Sequence, residues 1–300
     1  MKKTLLWILS ILITLGAAYY QRKTGPTYPK RIDIPVNDTL YELRLVRSLG
    51  LDERPEVKLA IPDTTVRAIL WYRRFNTSDE YTCSPFVFKS YPIDSRMMNK
   101  IFGMTEEKGL FADIPQQPPA GKIEYYFEIT DLAGTRTLLK ENPVVIRFKG
   151  SVPGYILTPH ILLMFFAMLF STAAGLFAIA GVPEFRKLAV WTLVLLAAGG
   201  MILGPLVQKY AFGELWTGIP FGWDLTDNKT LIAFLFWILA VFMNYRNPRR
   251  AYTIVAAVIL MIVYSVPHSM FGSELDYSTG EVTQGIIAFF FHRNEKKFIN

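Results

Sequence analysis

Two histidines are the residues best placed by type and spacing to do chemistry in this chain. Thr158-Pro159-His160 opens one apolar run in the order of a helix cap, a first-turn proline and an imidazole in the same turn. Pro267 ends another apolar run, and His268 follows it directly. Two imidazoles at one depth of a helical bundle could ligate a haem b iron, bind a divalent metal together with carboxylates, or hydrogen-bond a quinone headgroup. The plainer reading leaves each in the polar zone at a helix end, where shallow ionisable residues need no function.

A second cluster lies between Phe212 and Thr230, where aromatics, turn formers and carboxylates share one short stretch. Glu214 and Asp224 could complete a metal or proton site with the histidines. Asp227 is expected to cap the next helix, which should start near Thr226 or Asp227. Trp216, Phe221 and Trp223 read as aromatics of a membrane interface and, with Asp227, as a contact surface.

The elements that must position these residues are apolar runs. Hydrophobic residues make up 51% of the chain and charged residues 19%, too apolar a balance for an ordinary soluble protein. The runs are Thr4 to Tyr19, Tyr155 to Val182, Leu188 to Val207, Thr230 to Tyr245 and Ala251 to Val266, most of them near the length that a bilayer span needs. Lys2 and Lys3 before the first run, with Gly16-Ala17-Ala18 at its end, fit a signal anchor or a cleaved signal peptide over residues 1–22. Either form sends Tyr20 onward across the membrane. Counting from there, Arg186-Lys187 and Arg246, Arg249 and Arg250 fall in short inner loops, as the positive-inside rule requires. Residues 155–270 thus read as a four-helix transmembrane bundle, with residues 271–300 as an external tail. Its apolar stretch at 286–291 is too short to span and is expected to lie in the interface or to pack on the bundle. Gly200 and Gly204 form a small-xxx-small face suited to close helix contact.

Residues 30–150 read as an extracytoplasmic β-sandwich of the immunoglobulin or fibronectin kind. Strands are predicted at Leu40 to Val46, Val57 to Ile61, Val66 to Phe75, Tyr81 to Phe88, Lys122 to Thr130 and Pro143 to Phe148, with turns at Asp131-Leu132-Ala133-Gly134 and Pro118-Pro119-Ala120-Gly121. Met97 to Lys108 is expected as a short helix or a long loop. The linker to the bundle is only Gly150 to Gly154.

The net charge is +7, yet residues 24–150 hold 18 Lys and Arg against 17 Asp and Glu. The basic excess therefore belongs to the membrane flanks, and nucleic-acid binding drops out. Cys83 is the single cysteine, which rules out an intrachain disulfide; it is expected as a buried or unreactive strand thiol, with an intermolecular disulfide as the alternative. Walker, dinucleotide, nucleophile-elbow and zinc-protease motifs are absent from the sequence, which argues against ATP-driven and hydrolytic chemistry.

Phe221 to Thr230, Pro118 to Lys122 and Val144 to Gly150 together resemble an uncharacterised family of bacterial integral membrane proteins with this layout of external β-domain and C-terminal bundle. That resemblance implies an architecture and no activity. Gly272 to Gly280 also resembles the ending of small four-helix membrane proteins suspected of redox roles, although those carry a histidine after the tyrosine where this chain has Ser278. The expectation from sequence is a non-enzymatic binding or assembly component of the cell envelope. It sits in the inner membrane and meets an envelope protein or small ligand through its β-domain and outer loops, with no cofactor. The alternative is a redox subunit that binds haem b or quinone through His160 and His268.

Overall fold

The computed structural model of the chain describes residues 2–92, 105–268 and 273–283. It divides into a helical unit, carried by residues 2–26 and 151–268, and a unit of strands, carried by the described residues of 27–150 together with 275–281. The helical unit therefore begins ahead of the strands, with its first helix separated in sequence from the others.

That unit comprises α1 (Lys2–Thr24), α2 (Gly154–Ile179), α3 (Phe185–Leu196), a π-helix (Ala197–Leu203), α4 (Gly204–Phe212), α5 (Leu225–Met243) and α6 (Arg250–Ser265). Four stretches are long and apolar enough to cross a membrane: Lys2–Thr24, Gly154–Ile179, Phe185–Phe212 and Leu225–Met243. α6, predicted as a span, has 16 residues. At 1.5 Å per residue it reaches about 24 Å, short of a hydrocarbon core of roughly 30 Å.

α1 packs as a member of the bundle. Trp7 lies edge-on to Phe170 and Phe177 of α2, with ring centroids 6.0 and 5.9 Å apart, and Ser10 and Thr14 are fully buried. Lys3 pairs with Glu184 in the turn after α2. The interior beyond α1 is built on small residues. Ala173, Ala174 and Ala178 of α2 share a core with Ala189 of α3, Ala233 and Ala240 of α5 and Ala256 of α6, around the fully buried Trp237. A side chain at Gly175 would put its Cβ 2.7 Å from that of Ala257, so α2 and α6 meet at contact distance.

The π-helix lies where the sequence suggested an ordinary helix with a glycine face. Pro205 has no N–H for the carbonyl of Met201 four residues back, and the helix widens upstream, with the Gly204 N–H reaching the Gly199 carbonyl. The wider turn takes Gly200 and Gly204 off one face. The close approaches fall instead at Gly199, whose Cβ would lie 2.9 Å from that of Leu163, and at Gly200, 2.9 Å from Cγ2 of Thr230.

In the strand unit the predicted strands appear within a residue or two, with one split. Tyr81 to Phe88 becomes β6 (Thr82–Pro85) and β7 (Val87–Pro92), which belong to different sheets. The larger sheet runs in the order β3 (Ser48–Gly50), β11 (Val144–Lys149), β9 (Lys122–Asp131), β5 (Arg67–Arg74), β6, with β10 (Gly134–Leu138) beside the far end of β9. β3 and β11 run parallel and the other pairs antiparallel. A second sheet orders β4 (Glu56–Leu59), β8 (Glu106–Asp113), β7. β1 (Lys30–Val36) and β2 (Thr39–Leu45) form a hairpin whose turn residues Asn37 and Asp38 both take positive φ, the conformation that two-residue hairpins favour. Val36, Leu43, Leu59, Leu70, Ile123, Phe127 and Phe148 from all three sheets fill one core.

Tyr125 is fully buried in that core and donates its hydroxyl to the Val46 carbonyl at 3.2 Å. Cys83 lies in a strand as expected but is exposed rather than buried: β6 is an edge strand and places this residue opposite Trp71 on the outward side. After α6 the chain returns to the strand unit at Leu275–Glu281. There the Leu275 N–H donates to the Ala120 carbonyl, the Tyr277 hydroxyl bonds both the N–H and the carbonyl of Lys122, and Arg74 lies over the Tyr277 ring. Part of the stretch read as a separate external tail thus belongs to the β-unit. The reading of Met97 to Lys108 as a short helix or a long loop is overturned at its end, where β8 begins at Glu106 and pairs with β4 and β7; residues 97–104 and the apolar stretch at 286–291 lie outside the described residues.

Candidate functional site

The loop from Gly213 to Asp224 is built from backbone donors that need acceptors. Asp224, rather than Asp227, caps α5: its side chain accepts from the N–H groups of Thr226 and Asp227 at 2.7 and 3.1 Å. The helix starts three residues earlier than the capping role of Asp227 required. Asp227, now in the first turn and buried, accepts instead from the Thr217 and Gly218 N–H groups at 2.7 and 3.1 Å. Asn228 accepts from the Ile219 N–H at 2.7 Å, and Gln208 of α4 donates to the Thr217 hydroxyl at 2.7 Å. Any side chain at Gly218 would strike Asp227 Cβ at 2.7 Å, which explains a glycine there.

This frame holds the loop from below and leaves its aromatics outside. Phe221 is 81% exposed and Trp223 60%, while Trp216 is half-buried and donates its ring N–H to the Ile219 carbonyl. Glu214 is exposed on the loop, and Asp224 is buried with its carboxylate committed to the cap. The metal reading for these two carboxylates gains no geometry: among the described residues no three His, Cys, Asp or Glu side chains group as ligands.

His160 stands one turn deeper than expected. α2 begins at Gly154 behind Pro153, so Pro159 is inside the helix and His160 lies in its second turn. Pro159 is tolerated because the carbonyl it leaves without a donor belongs to Tyr155, an exposed residue of the first turn. Nδ1 of His160 lies 2.9 Å from the Gly199 carbonyl of the π-helix. A carbonyl only accepts, so Nδ1 carries the proton and Nε2 is the nitrogen with a lone pair.

His268 follows α6 and lines a small cavity with Gln21 of α1, Met164 of α2, Lys229 and Thr230 of α5, and Tyr264 of α6. Dense protein around it, and then repulsion from Lys229 and His160, hold its imidazole below the usual range, so the ring is neutral at physiological pH although the residue keeps exposed surface. The two histidines therefore do occupy one end of the bundle, as the sequence suggested.

Two residues of this end carry no motif in the sequence. Lys229 is only 6% exposed and reaches across from α5 to donate to the carbonyls of Val266 and Pro267 at 2.7 and 3.4 Å, a cation placed at the negative end of α6. Gln21 presents its side-chain amide nitrogen to the interior without a hydrogen-bond partner. A lysine one turn into an apolar helix, directly behind Asp227-Asn228, was the available signal for the first; nothing in the sequence marked the second. The cavity measures about 10 Å³, room for about one water molecule. A porphyrin or a quinone ring is far larger than this space.

The chain matches no protein-family model, no curated protein and no solved structure.

Proposed function

We propose that this chain is an integral membrane protein of the cell envelope that acts as a non-enzymatic binding or assembly component. It sits in the inner membrane, and its β-unit, an immunoglobulin-like or fibronectin-like sandwich, and its C-terminus lie outside the cytoplasm. The distribution of charge supports that orientation. Lys3 with Glu184, Arg186 bonded to the Tyr245 carbonyl, and Arg250 beside Gly181 gather at one end of the helical unit, where Arg246 and Arg249 add to the positive count. Positive short loops mark the cytoplasmic side.

The observation that carries the binding role is the braced loop. Phe221 and Trp223 are large aromatics held outward on a frame of buried hydrogen bonds, so a partner that takes them up pays little ordering cost. The β-unit offers the second contact surface, for an envelope protein or a small ligand. The test is photo-crosslinking in living cells from a benzoylphenylalanine placed at Phe221 or at Trp223 of the full chain. A discrete protein adduct that disappears in Asp227→Ala supports the reading. Adducts to lipid alone would make these residues membrane anchors and remove the loop from the binding role.

A redox role is the second reading, favoured by the fixed Nε2 of His160 and by the neutral His268 at the same end. With its lone pair, Nε2 of His160 would accept from the hydroxyl of a reduced quinone, since a quinone carbonyl only accepts. Its test is a reduced-minus-oxidised absorption spectrum with extraction and analysis of bound quinone. A sample without either signal removes it.

A further inference from the structure

We propose that the cavity bounded by Gln21, Lys229 and His268 is a site for a single oxygen atom that accepts hydrogen bonds, supplied by water or by the carbonyl group of an uncharged, otherwise apolar molecule. The donors set the chemistry. Lys229 has three N–H bonds and directs donors at Val266 and Pro267, and the Gln21 amide nitrogen faces the interior with its donors unmet. The neutral ring of His268 supplies a further polar edge, and Tyr264 lines the same cavity. Unmet donors in an apolar surround favour an acceptor and disfavour another cation.

Size sets the number of atoms, since a space of about 10 Å³ takes one oxygen and no more. Apart from Thr230, whose hydroxyl donates to the Thr226 carbonyl, the remaining lining is apolar: Met164, Leu196, Ala233, Leu260 and Val263 would meet the body of a lipid-phase molecule and give nothing to an anion. Asp224 supplies the negative charge that faces Lys229, so the site needs no charged ligand to balance it. A larger molecule would enter past α1, most of whose apolar stretch faces out of the bundle. The inference rests on this cavity and stands whether or not the chain has a redox role.

The experiment is water-edited solid-state NMR of the full chain in liposomes, with nitrogen-15 in the glutamine side chains and Gln21→Leu to identify the Gln21 signal. Transfer from water to the Gln21 amide protons in the ligand-free protein, weakened at least several-fold in Lys229→Met, is the expected result. Decylbenzoquinone in excess then separates the two sources: loss of the water transfer shows a carbonyl taking the same position, and persistence assigns the site to water alone. A dry Gln21 amide in ligand-free protein, with no water transfer and no change on adding the quinone, overturns the proposal. Because the readout is the wild-type signal, a folding defect in Lys229→Met does not protect the proposal from that result.

Discussion

Asp227 shows how one carboxylate can organise a loop. Its acceptance of two backbone N–H groups replaces the water those donors lose when the loop closes over α5. Asp227→Ala leaves both donors buried and unmet, at a cost of about 3 kcal/mol. The expected outcome is a lower thermal midpoint in detergent and faster proteolysis between residues 213 and 224; unchanged cleavage would mean that the loop is held by other contacts. Tyr81 offers a test by pH in the β-unit. Partial burial, and then a hydrogen bond to Glu124, push its phenol up to about 12. The folded-state value lies above the unfolded one, so this contribution to stability is complete below about pH 10 and is lost as pH rises towards 12. A difference titration between wild type and Tyr81→Phe should show one phenolate appearing near pH 12, and a value near 10 would contradict the cluster. At this scale the sequence showed His160 and His268 through their prolines. Gln21 and Lys229 stayed hidden because their role depends on which helices meet, and no local pattern encodes that.

The elements were easier to read than their breaks. Alternation in Lys122 to Ile129 and unbroken apolar runs in the helices fix period and length locally, and β9, α2 and α5 appear almost where those patterns put them. β1 was missed because Pro35 and its charges conceal the alternation, although Asn37-Asp38 was a legible hairpin turn. The split of β6 from β7 and the π-helix at Ala197–Leu203 depend on where the neighbouring sheet or helix lies, and the sequence carried only the hint of Pro205. The glycines give this scale its prediction. Gly175→Ala sets a methyl against Ala257 and should destabilise by about 1–3 kcal/mol. Gly204→Ala has its nearest neighbour at 3.7 Å and should leave the thermal midpoint almost unchanged. Equal effects would mean that α2 and α6 do not approach as closely as described.

For the whole molecule, the helical unit is assembled from the two ends of the sequence around an inserted β-unit. Composition made the division legible: the near-neutral block between two apolar regions marks it in the sequence. The membership of α1 was not legible, because an apolar N-terminal helix reads alike as an anchor or a leader, and only Trp7, Ser10 and Thr14 packed inside reveal its place. If α1 serves as part of the bundle, the purified protein should retain residues 1–24 by intact mass; a chain beginning after Ala18 would separate α1 from the mature bundle. The central claim is that the β-unit lies outside the cytoplasm, and the chain carries its own reporter in Cys83, the single cysteine and an exposed one. The direct measurement is labelling of Cys83 with a membrane-impermeant maleimide in intact spheroplasts. The account predicts full labelling before lysis, whereas labelling only after permeabilisation would place the β-unit inside and reverse the topology.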